Sequence, residues 1–180
     1  MCKSARGKQV SFDTQKIVFQ EQLLLGIAMK RTMIIHCVGY VGELYDILRS
    51  IYAVSGRDSD ALPPPLVLHS YSGSKEMMAA LKQLGRDVFF SFSLKQILTQ
   101  KKAQECVRHV DLNRLLVETD APDQMPPGHV VELNEPNFIQ DAIAHVLVLR
   151  NSDFSSLSEV QLRLSLNVGQ AFQLNDTYSV

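Results

Sequence analysis

The sequence has few cysteines and no long apolar run. Its three cysteines, Cys2, Cys37 and Cys106, are widely spaced and form no C-x-x-C pair, which argues against a zinc knuckle or a disulfide framework and favours a reducing compartment. No apolar stretch approaches the ~18 residues that a membrane-crossing helix needs. The basic segment at residues 1–8 lacks the apolar stretch of a secretory signal. We therefore expect a cytoplasmic or nuclear protein without membrane contact, with an organelle as the remaining alternative.

The chain also lacks an excess of either charge. It has 18 Lys and Arg against 19 Asp and Glu, a formal net charge of −1 and a sequence pI of about 6.5, so it has no strongly basic surface of the kind that nucleic-acid-binding proteins carry. A nuclease stays compatible with this balance, because bound metal ions would supply positive charge where phosphate sits. The length of 180 residues and the hydrophobic content of 46% predict one globular domain over 1–180.

Short apolar segments alternate with segments of helical periodicity. The predicted strands cover 32–37, 66–69, 88–92 and 114–120. Each is apolar without alternation, which predicts burial on both faces, as in a parallel sheet covered by helices. Four β/α units are too few to close a (β/α)₈ barrel, which typically needs about 250 residues. The pattern alone leaves a four-stranded doubly wound sheet as the alternative.

Several helices have recognisable faces or ends. Residues 14–30 place Ile17, Val18, Gln22, Leu25 and Met29 near helical spacing, which predicts an amphipathic helix. Residues 41–51 and 94–108 have helical patterns as well. Serines at positions 74 and 156 are expected to cap the helices that follow them, and the glycine at position 85 is expected to end the first of these.

Three of the four predicted strands end in a residue that can bind metal: His36, His69 and Asp120. A single histidine at a strand end is more often a hydrogen-bonded core residue. Three such residues together change this interpretation, because the carboxyl ends of parallel strands form one rim of the sheet, where sites are built. Two imidazoles and a carboxylate suit Zn²⁺, Mn²⁺ or a similar divalent ion.

Glu118 lies two residues before Asp120, so on a strand both side chains point to the same face. This placement allows Glu118 to orient a metal ligand or a water molecule. The alternative is a partly buried charge that pairs with Arg114 or Lys95. The pattern does not separate the two interpretations.

Small polar residues lie near the other strand ends. The segment 70–74, Ser-Tyr-Ser-Gly-Ser, leads into a helix N-terminus and offers Ser70 and Ser72 to an anion, although such residues also form ordinary turns. Ser91 and Ser93 on the third strand suit packing or a hydrogen bond to substrate.

The remaining histidines are weaker candidates. His109 and His145 lie within predicted helices, whereas His129 follows Asp120 in a loop and could approach the rim. Cys37 is adjacent to His36, and neighbouring strand residues face opposite sides, which argues against a Cys–His dyad.

Taken together, several segments resemble the TatD-type metal-dependent deoxyribonuclease family. The most specific are Glu-Thr-Asp-Ala-Pro at 118–122 and His-Ser-Tyr-Ser-Gly-Ser at 69–74. The segments 33–37 and 88–93 fit as well, as do 19–23, Asn134-Glu135-Pro136 and 167–172. The resemblance implies a (β/α)₈ TIM barrel of the amidohydrolase-like group that cleaves phosphodiester bonds in DNA.

The resemblance also implies roles for residues. His36 and His69 would bind a divalent metal ion (Mg²⁺, Mn²⁺ or Zn²⁺), and Asp120 would bind metal and help to activate the attacking water. Ser70, Ser72, Glu118 and Glu135 would contact the ligands or the substrate. Two metals would polarise the phosphoryl group and stabilise the leaving oxygen.

Two family features are missing: a His-x-His strand and a Gly-Glu-x-Gly-Leu-Asp segment. The chain therefore resembles strands five to eight of the barrel, followed by a C-terminal helix, and is expected to be N-terminally truncated. A partial barrel has open edges near His36 and Asp120, which self-association or a partner chain would cover. One alternative is a catalytically silent isoform that acts through a partner chain. Another is a hydrolase of amide or ester bonds.

Overall fold

A computed structural model describes residues 1, 10–55, 64–84, 87–128 and 133–174 of the chain. Four strands alternate with seven α-helices over these residues. The strands are β1 (Met33–His36), β2 (Leu66–His69), β3 (Val88–Ser93) and β4 (Leu115–Glu118). The helices are α1 (Phe12–Ala28), α2 (Val41–Ser55), α3 (Lys75–Lys82), α4 (Leu94–Thr99), α5 (Lys101–His109), α6 (Ile139–Leu149) and α7 (Leu157–Ala171). Short 3-10 turns at Leu112–Arg114 and Pro136–Phe138 precede β4 and α6.

The four strands form one parallel sheet in the order β1-β2-β3-β4. This order confirms the predicted parallel α/β sheet of four units. The doubly wound alternative is wrong, because that fold reverses its strand order at a switch point, whereas these strands succeed one another without reversal. Successive right-handed crossovers in one direction place the connecting helices on one face. In agreement, α2 contacts α3, α3 contacts α5, and α5 contacts α6.

Side chains from both faces of β2, β3 and β4 are buried, as the unbroken apolar strands predict, but the prediction is wrong for the edge strand β1. Leu68, Phe90 and Leu115 face the helices and belong to the main core. On the opposite face, which we call the inner face, Val67, Phe89 and Leu116 form a second cluster with Ala171 of α7. Because strand side chains alternate, the inner face also carries the residues at positions 34, 36, 69, 91, 93 and 118.

Helix α7 closes one end of the sheet. Asn167 Nδ2 donates to the carbonyls of Leu112 and Leu115, at 2.7 Å each, just before and at the start of β4. Thr32 Oγ1, just before β1, donates to the carbonyl of Ala171 at 2.7 Å. The amino ends of the strands are therefore covered, and the open end of the inner face is the carboxyl end, where the predicted site residues lie.

The predicted apolar stripe of α1 is largely uncovered. Ile17, Leu25 and Met29 are about 60% exposed, and the core-facing residue is instead Leu23, at 1%. Ile34 on β1 is also exposed, at 62%. The helix forms as predicted, but its amphipathic face is wrong, because apolar residues are spread around α1 and the predicted stripe is exposed. No helix among the described residues is long and apolar enough to cross a membrane.

Local helix signals are confirmed at two starts. The side chain of Ser74 accepts a hydrogen bond from Met77 N at the start of α3, and that of Ser156 accepts one from Glu159 N at the start of α7. Helix α3 ends at Lys82, and the predicted stop at Gly85 lies outside the described residues.

The predicted helix over 94–108 is divided in two. Gln100 has extended backbone angles (φ −119°, ψ 108°) and separates α4 from α5. Ser93 and Gln96 form a capping box that starts α4 directly after β3.

Candidate metal centre

The predicted site residues converge at the carboxyl end of the inner face. His36 ends β1 directly opposite His69, which ends β2. Ser93 ends β3 opposite Glu118, which ends β4. Asp120 follows two residues later. The in-register ends of the parallel strands bring these side chains to one rim, although the rim residues are spread from position 36 to position 120 of the sequence.

The imidazole of His69 lies between two carboxylates. Its Nδ1 is 3.0 Å from Glu118 Oε2, and its Nε2 is 3.1 Å from Asp120 Oδ1. The hydrogen bond to Glu118 raises the pKa of His69 above its ordinary value, although partial burial opposes this effect. Ligand atoms of the three residues all lie within 4.8 Å of one another.

Glu118 is held by four donors. Its Oε1 accepts from Ser70 N at 2.9 Å and from Ser70 Oγ, and its Oε2 accepts from Ser91 Oγ and His69 Nδ1. Burial raises the pKa of Glu118, but the hydrogen bonds from His69, Ser70 and Ser91 outweigh it and hold the pKa below its usual value. A carboxylate has about four acceptor positions, so all the acceptor positions of Glu118 are occupied, one of them by His69 Nδ1.

These contacts contradict one of the two interpretations of Glu118. Pairing with Arg114 or Lys95 is wrong, because His69 and the two serines occupy its acceptor positions. Arg114 pairs with Asp87 instead.

The geometry fits a divalent cation at one side of His69. Two ligands at about 2.1 Å from one ion and about 90–110° apart lie about 3.0–3.4 Å from each other, and His69 Nε2 and Asp120 Oδ1 are 3.1 Å apart. One imidazole does not direct both nitrogens at the same ion. Nε2 and Asp120 Oδ1 could therefore face one ion, and we call them the metal-facing pair. Glu118 accepts from Nδ1 in the carboxylate–histidine arrangement common around bound metals.

His36 lies beside this pair without joining it. Its ring centroid is 5.4 Å from that of His69, with the ring planes tilted by 33°. Among the described residues, the group with mutually close ligand atoms contains His69, Glu118 and Asp120 and not His36. Burial lowers the pKa of His36, and the neighbouring His69 lowers it further. This favours the neutral imidazole, the form that binds metal, and His36 stays a predicted ligand.

Ser72 and Glu135 are placed further from the pair. The Ser72 hydroxyl lies 3.4 Å from the carbonyl of Cys37, and its own carbonyl accepts from Lys102 Nζ at 2.8 Å. Glu135 is exposed and precedes the 3-10 turn at 136–138. His129 lies outside the described residues. His109 and His145 lie in α5 and α6, as predicted.

Sequence reasoning missed two residues at the site. Gln124 Nε2 donates to Asp120 Oδ2 and to Ser70 Oγ, and its Oε1 accepts from Ser93 Oγ. The buried Gln96 donates to the carbonyl of Ser70 at 3.1 Å. Gln96 belongs to the Ser93–Gln96 capping box, which signals a helix start and not a site, and only closeness in sequence to Asp120 could have drawn attention to Gln124.

A comparison with known proteins identifies the family. A family model described as "TatD related DNase" matches residues 5–173. The chain belongs to the TatD family. An uncharacterized metal-dependent hydrolase of Buchnera aphidicola is 28% identical over 156 residues, which is 83% of this chain and 54% of that protein. A human protein named 3'-5' RNA nuclease TATDN2 is 28% identical over 149 residues, 78% of this chain and 18% of its own length.

Solved structures support the fold. The crystal structure of YJJV, a TatD homolog from Escherichia coli, superposes on this TatD chain with a TM-score of 0.78 and 23% identity, over 97% of this chain and 62% of that one. The chain thus spans about half to two thirds of the length of these bacterial proteins. The names of these relatives as metal-dependent hydrolases are consistent with a group of side chains here, including His69 and Asp120, that could hold a metal ion.

Proposed function

We propose that this TatD chain carries part of the active site of a divalent-metal-dependent hydrolase that cleaves phosphodiester bonds in DNA. The observation that carries the proposal is the pair of His69 Nε2 and Asp120 Oδ1, which are 3.1 Å apart at the open end of the sheet. The family description as a DNase supports the choice of DNA.

The chain's own groups have distinct roles in this proposal. His69 and Asp120 would hold the ion with His36 beside them, and Glu118 would keep the His69 ring in position. A bound divalent ion would polarise a phosphoryl oxygen and lower the pKa of a coordinated water. Asp120 would take up a proton from the attacking water on a lone pair that neither the ion at Oδ1 nor Gln124 at Oδ2 uses. Histidine and carboxylate ligands suit Mn²⁺ or Zn²⁺ better than Mg²⁺.

We further propose that the four β/α units correspond to the second half of a TatD-type barrel. The consecutive strand order, the helices on one face and the open inner face support this. The coverage of 97% of this chain but 62% of the E. coli structure supports it too. In such a barrel the inner face would line the interior, and the metal-facing pair would lie at its mouth.

The test uses the full chain with end-labelled single-stranded DNA and RNA of the same sequence. Each is incubated with Mn²⁺, Mg²⁺ or Zn²⁺, or with EDTA. We expect metal-dependent release of nucleotides from DNA, lowered by about 100-fold or more in Asp120→Asn, since a metal ligand and proton acceptor is lost. The exposed Asp123 provides the matched control Asp123→Asn, which should keep full activity.

Three outcomes would contradict the proposal. Activity that survives in Asp120→Asn would come from a contaminating nuclease. Cleavage of RNA without DNA would replace the proposed substrate, and the RNA nuclease name of the human relative makes this arm necessary. Hydrolysis of amide or ester substrates with no nucleotide release would support a metal-dependent hydrolase but would contradict the proposed cleavage of phosphodiester bonds.

A further inference from the structure

We infer that Gln124 is a positioning residue of the metal centre, which holds one oxygen of Asp120 so that the other faces His69. The inference rests on the proposed metal-dependent function and extends it. All hydrogen-bonding groups of the Gln124 amide are used. Its Oε1 accepts from Ser93 Oγ at 2.7 Å, and its two N–H groups reach Ser70 Oγ at 2.8 Å and Asp120 Oδ2.

The neighbours of the amide determine its orientation. Asp120 is an acceptor when ionised, so it requires the NH₂ group. Ser93 Oγ already accepts from Gln96 N at 3.3 Å, and its single proton is therefore free to point at Gln124 Oε1. The reversed amide would place its oxygen against the Asp120 carboxylate, so that two acceptors face each other. The hydrogen bonds from Gln124 to Asp120 Oδ2 and to Ser70 Oγ would both be lost. Ser93, at the end of β3, thereby orients the Gln124 amide so that its NH₂ group donates to Asp120.

The backbone around Gln124 points to the same conclusion. Ser70, Asp120 and Gln124 have φ values of 43°, 60° and 54°, in the left-handed region that non-glycine residues rarely adopt. The other described non-glycine residues with positive φ, Lys30 and Gln173, lie just after the ends of α1 and α7, where this conformation is common. Strained residues of this kind collect at functional sites, and here they are joined by hydrogen bonds.

The consequence concerns how Asp120 binds a cation. A free carboxylate can turn and present either oxygen, or both. With Oδ2 held by Gln124, Oδ1 is left 3.1 Å from His69 Nε2. The neutral amide donor orients the carboxylate and leaves its negative charge in place, whereas a lysine donor would neutralise that charge. Loss of such an orienting partner typically weakens metal binding by about 10–100-fold.

The test measures Mn²⁺ binding by titration calorimetry and electron paramagnetic resonance, and melting temperature in EDTA. Gln124→Met keeps the length of the side chain and removes its hydrogen bonds. The matched control is Gln161→Met on α7, which removes an exposed amide contact to Gln140. We expect Gln124→Met to weaken Mn²⁺ binding by about 10–100-fold, with a melting temperature in EDTA close to that of the control.

A second variant separates positioning from stability. Ser93→Ala removes the hydroxyl that orients the Gln124 amide, and it also removes a helix cap. We expect it to weaken Mn²⁺ binding in the wild-type background and to have no further effect on Mn²⁺ affinity in Gln124→Met, because the two residues act through one contact. The cost of the lost cap should appear in the melting temperature in both backgrounds.

The outcomes distinguish the inference from the proposed function. A wild-type chain that binds neither Mn²⁺ nor Zn²⁺ would refute both. Wild-type affinity for Mn²⁺ in Gln124→Met would refute the inference alone. Additive affinity losses in the double variant would also refute it, even if Gln124→Met melts at a lower temperature, since independent effects would show that Ser93 does not act through Gln124.

Discussion

Replacing Glu118 by glutamine tests the arrangement around His69 most directly. The change keeps the shape of the side chain but turns one acceptor oxygen into an NH₂ group. The hydroxyls of Ser70 and Ser91 can rotate and accept from this group. The main-chain N–H of Ser70 on one side and Nδ1–H of His69 on the other are donors in the wild-type contacts, so one of them loses its partner whichever way the amide turns.

The expected magnitudes follow from that loss. A partly buried donor without a partner costs about 1–3 kcal/mol of the free energy of unfolding. If the amide faces His69, the ring avoids the conflict by moving its proton to Nε2, the nitrogen that faces Asp120. The metal-facing lone pair is then lost, and metal affinity should fall by about 10–100-fold.

Two measurements check this prediction. Urea unfolding in EDTA gives the change in unfolding free energy, and titration calorimetry gives the Mn²⁺ affinity. Glu105→Gln, at an exposed position on α5, is the control and should leave both quantities unchanged. If Glu118→Gln left both the unfolding free energy and the Mn²⁺ affinity at their wild-type values, neither consequence of the amide would occur, and the reasoning would fail.

Three further predictions concern the rest of the fold. Arg150→Met should lower the unfolding free energy by about 2–4 kcal/mol, because buried Arg150 donates to the carbonyls of Val107 and Val110. Arg49→Met, in an exposed ion pair, should change it by under about 1 kcal/mol in the same urea assay, and equal losses would contradict the argument. Burial raises the pKa of Cys106 to about 11. At pH 8 iodoacetamide should therefore modify it about a hundredfold more slowly than an ordinary thiol, as followed by peptide mass spectrometry, with a faster rate above pH 10. Ile34→Lys should reduce the concentration-dependent increase in mass by light scattering that the exposed edge strand predicts; a wild-type chain that stays monomeric would refute this.

Local features of the fold could be read from the sequence because they depend on nearby residues. Ser74 and Ser156 cap the helices that start beside them. The apolar strands β2, β3 and β4 have buried residues on both faces, whereas the edge strand β1 is exposed on its inner face at Ile34. The stripe of α1 shows the limit of such reasoning. Its apolar residues are at helical spacing, but this spacing does not indicate whether another element will cover them. Leu25, for example, is 59% exposed.

The candidate site divides in the same way. Strand ends in a parallel sheet share one rim, so the position of His36, His69 and Asp120 at that rim could be predicted from the order of strands and helices along the chain. Only the tertiary structure decided that Glu118 holds Nδ1 of His69 while Asp120 faces Nε2.

The partners of these side chains come from distant parts of the chain. Ser70 meets Glu118 across 48 residues, Ser91 meets it across 27, and Gln124 meets Ser70 across 54. Hydrogen bonds require distances and directions between atoms, which follow from strand register and loop conformation. Hydrophobic periodicity and motif spacing indicate which helices and strands form, but they do not predict the directions of these hydrogen bonds. The role inferred for Gln124 therefore depends on the tertiary structure.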